Sequence, residues 1–203
     1  MVQAAGIVLC GGRSSRMGQP KAWLPFGNEV LLQRVVRILA EVVNPIVIVA
    51  APGQDLPLLP ESIQIVRDER EYLGPLNGLA EGLAALDGLA ETAYLSSCDV
   101  PFLRPAFVGR VVESLGDSSI CMPEVGGYKH PLAAAYRIGV VPVVRRLLAE
   151  NRLRPAYLAD LVPTRVLREG DLVDVDPDLS SLRNLNTPEE YDRALRDAGQ
   201  RVR

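Results

Sequence analysis

Residues 4–27 read AAGIVLCGGRSSRMGQPKAWLPFG, an apolar run followed at once by a loop rich in glycine and basic residues. The run is short and continuous, which is typical of a strand buried on both faces of a parallel sheet. Gly11 and Gly12 lack a Cβ atom, so their backbone amides can approach phosphate oxygens closely. Arg16 and Lys21 bring positive charge to the same connection. The stretch therefore predicts a phosphate-binding turn directly after the first strand.

This loop differs from the common phosphate-binding motifs. It contains neither the Gly-Lys-Ser/Thr of a Walker loop at the required spacing nor the dinucleotide pattern Gly-x-Gly-x-x-Gly. The ATPase and dehydrogenase interpretations are weakened accordingly. A serine hydrolase is also unsupported, because the chain has no Gly-x-Ser-x-Gly elbow.

The rest of the chain continues an α/β pattern. Further short apolar runs predict strands buried on both faces at 45–51, 63–66 and 92–98. Apolar stripes at three- and four-residue steps predict helices, and they lie at 31–43, 76–86, 105–115 and 140–149, with a last helix opened by Thr187-Pro188. The order predicts one three-layer, Rossmann-like α/β domain over residues 1–203, with a mostly parallel, mixed central sheet. Ligands should bind at the carboxyl ends of its strands.

The composition limits the expected binding partners and the expected cellular location. Lys plus Arg number 22 against 25 for Asp plus Glu, and the net charge of −3 argues against nucleic acid or an anionic membrane as a partner. No segment approaches the roughly 20 apolar residues of a membrane helix, and the first apolar run is too short for a secretory signal. The three cysteines lie in or beside apolar runs without a Cys-x-x-Cys pair, which indicates buried thiols and a cytoplasmic location.

Two aspartates follow predicted strands. Asp99 should project from the carboxyl end of a central strand, where a carboxylate can hold Mg²⁺ together with substrate phosphates. The alternative is that Asp99 only caps the turn at Pro101. Asp68 follows the strand at 63–66, and from the residues alone the favoured interpretation is a surface charge in a mixed run.

The stretch LCGGRSSRMG, followed by Lys21 and LPFG, resembles the molybdenum cofactor guanylyltransferases, within the wider class of Rossmann-like nucleotidyltransferases. The resemblance covers nearly the whole chain in family order, through RDEREYLGPLNGL at 67–79, SSCDVPFL at 96–103, HPLAAAYR at 130–137 and NLNTPEEYDRA at 184–194. It implies transfer of GMP from GTP to the phosphate of the molybdenum cofactor (molybdopterin), with release of pyrophosphate and with Mg²⁺ as cofactor. Transient contacts with other cofactor-biosynthesis proteins are also expected.

The resemblance also implies roles for single residues. The N-terminal half should bind nucleotide, through Leu9, Cys10, Gly11, Gly12, Lys21, Asp68 and Asp99. Catalysis is expected of Lys21, Asp99 and Arg16, and Asp99 is the expected metal ligand. The C-terminal half should bind the acceptor, through Asn184, Asn186 and, by a looser match, Arg154 or Arg152. Capping of the last helix is the alternative role for Asn186. The family's asparagine after the second strand is missing, since this chain reads Val-Ala-Ala-Pro at 49–52.

Several alternatives stay open. Gly11-Gly12 and Cys98-Asp99 favour GTP within the resembled family, and a missing methyl at Gly11 is one hypothesis for how a purine is accommodated. A cytidylyltransferase of the same cofactor, a sugar-phosphate nucleotidyltransferase and a non-catalytic nucleotide-binding accessory protein are the competing interpretations. An ionised phosphate nucleophile needs no general base, so His130, the one histidine, is expected to be a packed or capping imidazole.

Overall fold

The computed structural model describes residues 4–11, 17–68 and 74–200. The strands in these ranges are β1 (Ala5–Leu9), β2 (Pro25–Phe26), β3 (Glu29–Val30), β4 (Ile46–Ala50), β5 (Gln64–Arg67), β6 (Thr92–Ser97), β7 (Ile120–Val125), β8 (Tyr128–Lys129), β9 (Ala134–Arg137) and β10 (Thr164–Leu167). The α-helices are α1 (Leu31–Leu39), α2 (Pro75–Ala85), α3 (Pro105–Glu113), α4 (Val141–Ala149) and α5 (Pro188–Asp197). Single turns of 3₁₀-helix lie at Lys21–Trp23, Ile138–Val140, Glu169–Asp171 and Ser180–Leu182, and a longer one at Pro155–Asp160.

The main sheet has the strand order β10-β7-β9-β6-β1-β4-β5, with β8 paired to β7. The pairs β6–β1, β1–β4, β4–β5 and β10–β7 are parallel. Strand β9 runs antiparallel between β6 and β7. The sheet is therefore mixed and mostly parallel, and the predicted α/β class is confirmed.

Helices cover both faces of this sheet because successive strand residues point to opposite sides. Val8 of β1 packs in one apolar cluster with residues of α1 and α3. Ile7 packs in the other cluster with residues of α2 and α4. Helix α2 lies so close to β1 that a Cβ atom on Gly82 would sit 2.6 Å from Ile7 Cγ2. These contacts produce the three layers that the sequence predicted and fix the height of α2 over the sheet.

The C-terminal helix α5 packs beside the start of the chain. Its Thr187 is the N-cap and accepts a hydrogen bond from the Glu190 amide at 3.2 Å, as the sequence predicted. Leu195 of α5 lies in an apolar cluster with Phe26 of the β2–β3 hairpin, a hairpin that the sequence pattern did not predict. Through this packing, the segment before α5 lies against the residues that come after the glycine loop.

One strand prediction was wrong in its burial. The run at 63–66 was expected to be buried on both faces, yet β5 is an edge strand and Ile65 is 45% exposed. An edge strand has a neighbour on one side only, and of β5 it is Val66 that packs against the apolar cluster of α2. The prediction of buried cysteines is confirmed, because Cys10, Cys98 and Cys121 are all buried free thiols.

Among the residues that the structure describes, no helix has the length and apolar character to cross a bilayer. Whether residues 1–203 form a single domain stays a prediction.

Candidate active site

The carboxyl ends of four neighbouring strands form one edge of the sheet. Asp99 lies two residues beyond β6, Cys10 and Gly11 follow β1, Ala51 follows β4 and Asp68 follows β5. Neighbouring strands are about 4.8 Å apart, so β6 and β5 are separated by roughly 14 Å. Of the residues predicted to bind nucleotide, Leu9, Cys10, Gly11, Asp68 and Asp99 thus lie along a single edge, in the place where open α/β sheets bind ligands.

Asp99 is held from three separate parts of the chain. It is 6% exposed. Its Oδ1 accepts hydrogen bonds from Ser97 Oγ at 2.6 Å and from Asn184 Nδ2 at 2.8 Å. Its Oδ2 accepts one from Lys21 Nζ at 2.6 Å. The carboxylate is consequently fixed in orientation before any ligand arrives.

Lys21 is placed by the turn of 3₁₀-helix that it begins. Besides its ion pair with Asp99, its Nζ donates to Asn186 Oδ1 at 3.0 Å. The backbone N–H of Asn186 in turn donates to Glu190 Oε2 at 2.6 Å, and Glu190 is the acidic residue of the α5 capping box. The backbone N–H of Leu185 donates to the backbone carbonyl of Asp99 at 3.0 Å. The residues just before α5 therefore hold the Lys21 and Asp99 side chains in contact.

Asn184 and Asn186, both predicted to face the acceptor, contact this lysine–aspartate pair. Asn184 also reaches Ser97 Oγ, at 3.0 Å from its Nδ2. The possibility that Asn186 caps α5 is not what the structure shows, because the N-cap is Thr187. The acceptor role of the two asparagines stays a prediction.

Gly11 lies against the backbone that follows β4. A Cβ atom there would be 3.1 Å from the Ala51 amide nitrogen. Beside it, Gln54 Oε1 accepts from the Ala51 amide at 3.0 Å, and Gln54 Nε2 donates to the Cys10 carbonyl at 3.0 Å. Gln54 is thus the polar side chain present after the second main strand, where the family asparagine is missing. The close approach of the two backbones is itself a reason for glycine at this position.

Asp68 continues the edge on its exposed side. Its amide donates to the Ala50 carbonyl at 2.9 Å, which extends the β4–β5 pairing by one residue. Its Oδ1 accepts from Asn77 Nδ2 at 2.7 Å, and Asn77 belongs to the first turn of α2. The side chain is therefore directed by a helix that starts at the same edge of the sheet.

A cavity of about 370 Å³ opens next to Asn184. It is lined by Pro75, Val100, Lys129, His130, Pro131, Leu132, Ala133, Arg154, Pro155, Ala156, Ser181, Leu182 and Asn184. Burial lowers the pKa of His130, which favours the neutral imidazole near pH 7. The structure thus brings Arg154 and Asn184 together on one cavity, and it gives that cavity two cationic side chains, Lys129 and Arg154.

Other arginines that could meet an anion lie elsewhere. Arg137 donates to the carbonyls of Gly116 and Ser118. The guanidinium of Arg152 stacks over the ring of Tyr157 at 4.7 Å. Of the two arginines matched loosely to the acceptor region, only Arg154 lines the cavity.

For some predicted site residues the structure leaves the expected role untested. Gly12 and Arg16 lie outside the described residues, so their roles stay predictions. Leu9 ends β1, and burial raises the pKa of the Cys10 thiol to about 12, so this thiol is uncharged at neutral pH. In the described ranges no three His, Cys, Asp or Glu side chains group as a metal site. The expected Mg²⁺ ligand Asp99 is placed at the site as a single carboxylate.

Three polar residues of the site were not predicted from the sequence. Ser97 is two positions before Asp99, and this spacing was a usable signal because alternate residues of an extended chain share a side. Gln54 and Asn77 reach the edge from a loop and a helix. Nothing in the spacing of these two residues pointed to their contacts.

A parallel sheet edge with Gly11 after β1 and a buried carboxylate paired with a lysine is the arrangement expected of a nucleotidyltransferase of the α/β class. The family model for the MobA-like NTP transferase domain matches residues 6–164. The chain belongs to this family.

Individual relatives agree with this membership. A probable molybdenum cofactor guanylyltransferase from Mycobacterium avium (strain 104) is 36% identical over 202 residues, which cover 97% of each chain. The crystal structure of molybdopterin-guanine dinucleotide biosynthesis protein A from Archaeoglobus fulgidus has a TM-score of 0.79 at 18% identity, covering 96% of this chain and 98% of that one.

The fold is shared more widely than the family. A 4-diphosphocytidyl-2C-methyl-D-erythritol synthase from Anaerococcus prevotii DSM 20548 matches with a TM-score of 0.71 at 13% identity, covering 98% of this chain and 97% of that one. The fold alone therefore does not select the nucleotide or the acceptor.

Proposed function

We propose that this protein transfers GMP from GTP to the phosphate of the molybdenum cofactor, forming the guanine dinucleotide cofactor and pyrophosphate. The names of relatives about 35% identical over almost the whole chain support this assignment. The single structural observation that carries it is the contact of Lys21 Nζ with Asp99 Oδ2 at 2.6 Å, at the sheet edge where β1 ends.

In the proposed reaction, a phosphate oxygen of the acceptor attacks the α-phosphorus of GTP. The bond from the α-phosphorus to the oxygen that bridges to the β-phosphorus breaks, and pyrophosphate leaves. Lys21 lies at the edge where the phosphates would bind, and an ammonium there offsets the charge that builds on the leaving group. No side chain has to remove a proton, because the phosphate nucleophile is already ionised.

Asp99 is the residue that would hold a Mg²⁺ ion. Its donor chemistry fits, since Mg²⁺ prefers hard oxygen ligands and commonly uses one or two carboxylates with substrate phosphates. When bound, the ion would neutralise phosphate charge. Lys21 neutralises the buried carboxylate in the structure, so this carboxylate is paired with a cation already.

The cavity beside Asn184 is the proposed acceptor site. Lys129 and Arg154 give it positive charge for an anionic ligand, and the neutral imidazole of His130 and the amide of Asn184 offer hydrogen bonds to a polar ring system. Asn184 joins this cavity to Asp99 directly. The acceptor would therefore lie next to the end of the triphosphate site where the carboxylate is.

Pyrophosphate release tests the proposal. The purified protein is incubated with Mg²⁺, GTP and molybdopterin, and pyrophosphate and the dinucleotide product are both measured, with CTP and with sugar phosphates as parallel substrates. We expect release with GTP and molybdopterin, and its loss in Lys21→Ala and Asp99→Asn. Preferred use of CTP, turnover of a sugar phosphate instead, or nucleotide binding without any release would each overturn the assignment.

A further inference from the structure

Ser97 occupies a position that the proposed reaction does not yet explain. Its hydroxyl donates to Asp99 Oδ1 at 2.6 Å and accepts from Asn184 Nδ2 at 3.0 Å. Asn184 Nδ2 also donates to Asp99 Oδ1, at 2.8 Å. Ser97, Asn184 and Asp99 thus form a closed triangle of hydrogen bonds, which is buried at its serine and aspartate corners.

The directions of these bonds are set by the chemistry of the groups. A carboxylate only accepts hydrogen bonds, so both the hydroxyl and the amide nitrogen must donate to it. The serine has one proton, which it gives to Asp99, and its own oxygen then accepts from Asn184 Nδ2.

The triangle divides the two oxygens of Asp99 by function. Oδ1 has two lone-pair sites, and two donors occupy them. Oδ2 accepts a hydrogen bond from Lys21 Nζ at 2.6 Å. Oδ1 thus accepts from two neutral donors and Oδ2 from the Lys21 ammonium, so a metal cation that takes the place of this ammonium at the carboxylate meets Oδ2.

Building on the proposed function, we infer that Ser97 and Asn184 are positioning residues that restrict Asp99 to binding a divalent cation through Oδ2 alone. This restriction selects for Mg²⁺. Mg²⁺ takes near-octahedral geometry with one oxygen from each carboxylate, whereas Ca²⁺ accepts six to eight ligands and often binds both oxygens of a carboxylate. Blocking Oδ1 removes the second mode.

Ser97 and Ser96 make a matched pair for the experiment. Both are buried in β6, but Ser96 Oγ donates to the backbone carbonyl of Ser97 and not to Asp99. Ser97→Ala frees one lone-pair site on Oδ1, and Ser96→Ala removes a hydroxyl from the same strand without touching the triangle. Ser97→Thr keeps the hydroxyl and serves as the rescue variant.

The readout is nucleotide binding, not turnover. The affinity of the full chain for the α,β-methylene analogue of GTP is measured by calorimetry at saturating Mg²⁺, at saturating Ca²⁺ and with neither ion. In the wild type we expect Mg²⁺ to support tighter binding than Ca²⁺. In Ser97→Ala the ratio of the two affinities should shift towards Ca²⁺ by at least about threefold, from the loss of one hydrogen bond to a charged group. Ser96→Ala and Ser97→Thr should keep the wild-type ratio.

The possible failures are distinguishable. An unchanged ratio in a folded Ser97→Ala protein, with binding that depends on Mg²⁺ in the wild type, overturns the positioning role alone. Wild-type binding that is indifferent to both ions overturns the magnesium part of the proposed function and this inference with it. An equal shift in Ser96→Ala overturns the inference, because it would trace the effect to packing of β6.

Discussion

Asp99 and Asp68 come after two parallel strands of one sheet and end in different surroundings. Asp99 follows a central strand, is 6% exposed, and is bonded by a serine, an asparagine and a lysine from three parts of the chain. Asp68 follows the edge strand β5, is partly buried, and accepts from Asn77 of α2. The central position fixes a carboxylate in advance, whereas the edge position leaves one more accessible to solvent and to a ligand.

This difference indicates a division of labour. A preorganised group does not have to be reoriented when charge develops, so it contributes most to the rate. A side chain at an open edge contributes mainly to holding the substrate. We therefore expect Asp99 to act on turnover and Asp68 to act on nucleotide binding.

The largest expected effect comes from replacing the two aspartates in turn. Asp99→Asn should lower kcat/KM by at least about 100-fold, mainly through kcat, because it removes an electrostatic group at the reacting phosphates. Asp68→Asn should cost about 10-fold, mainly through the KM for GTP, as one charge-assisted hydrogen bond is lost. Steady-state pyrophosphate release measures both.

Asp87→Asn is the control for this comparison, since it makes the same chemical change at an exposed position just after α2. It should leave both constants unchanged. Equal losses in Asp99→Asn and Asp68→Asn, or a loss in Asp68→Asn that is confined to kcat, would contradict the division of labour.

The hydrogen-bond partners of the two carboxylates should differ in the same way as the carboxylates themselves. Asn184→Ala removes a hydrogen bond from the buried carboxylate and should lower kcat by about 10-fold, since it releases one side of Asp99 and leaves Ser97 without a donor. Asn77→Ala should raise the KM for GTP by only about threefold, because water can reach Asp68 and replace the lost bond. A larger loss of kcat/KM in Asn77→Ala than in Asn184→Ala would contradict the ranking of Asp99 above Asp68.

Gly11 lies between the two aspartates and tests what the middle of the edge requires. A methyl group on Gly11 would press on the Ala51 amide at 3.1 Å. Gly11→Ala should therefore destabilise the fold by about 1–3 kcal/mol, as overpacking does, and should weaken GTP and CTP binding by similar factors. Thermal unfolding and calorimetry measure the two effects. A switch in preference to CTP would instead support the hypothesis that the missing methyl leaves room for a purine.

The smallest expected effect concerns His130, which lines the cavity next to Asn184. Burial lowers its pKa in the folded protein, so in acid the unfolded chain binds the proton more readily than the folded one. This contribution to the free energy of unfolding is present above pH 6.5 and is lost as the pH falls through the lowered pKa. Urea denaturation measures the free energy of unfolding of the wild type and of His130→Gln. Between about pH 7.5 and about pH 5.5, the value for the wild type should fall relative to that for the variant. A difference independent of pH would contradict this account of the histidine.

The central part of this molecule was predictable, and its edges were not. The continuous apolar runs of β1, β4 and β6 signal burial on both faces, which is what central strands have, and the place of Asp99 could be read from the end of one of them. The run at 63–66 has similar composition, but its edge position depends on strand order, which no local pattern encodes. The contacts of Asn184 and Asn186 with Asp99 and Lys21 arise because α5 folds back over the β2–β3 hairpin, and they join residues that are 85 and 165 positions apart.

A crystal structure with the α,β-methylene analogue of GTP and Mg²⁺ would locate the triphosphate on the sheet. We expect the triphosphate to lie along the edge from Gly11 to Asp99, with Asp99 Oδ2 ligating the ion at about 2.1 Å and Lys21 Nζ contacting the β- or γ-phosphate. A nucleotide bound elsewhere, or phosphates lying away from both Lys21 and Asp99, would contradict this expectation.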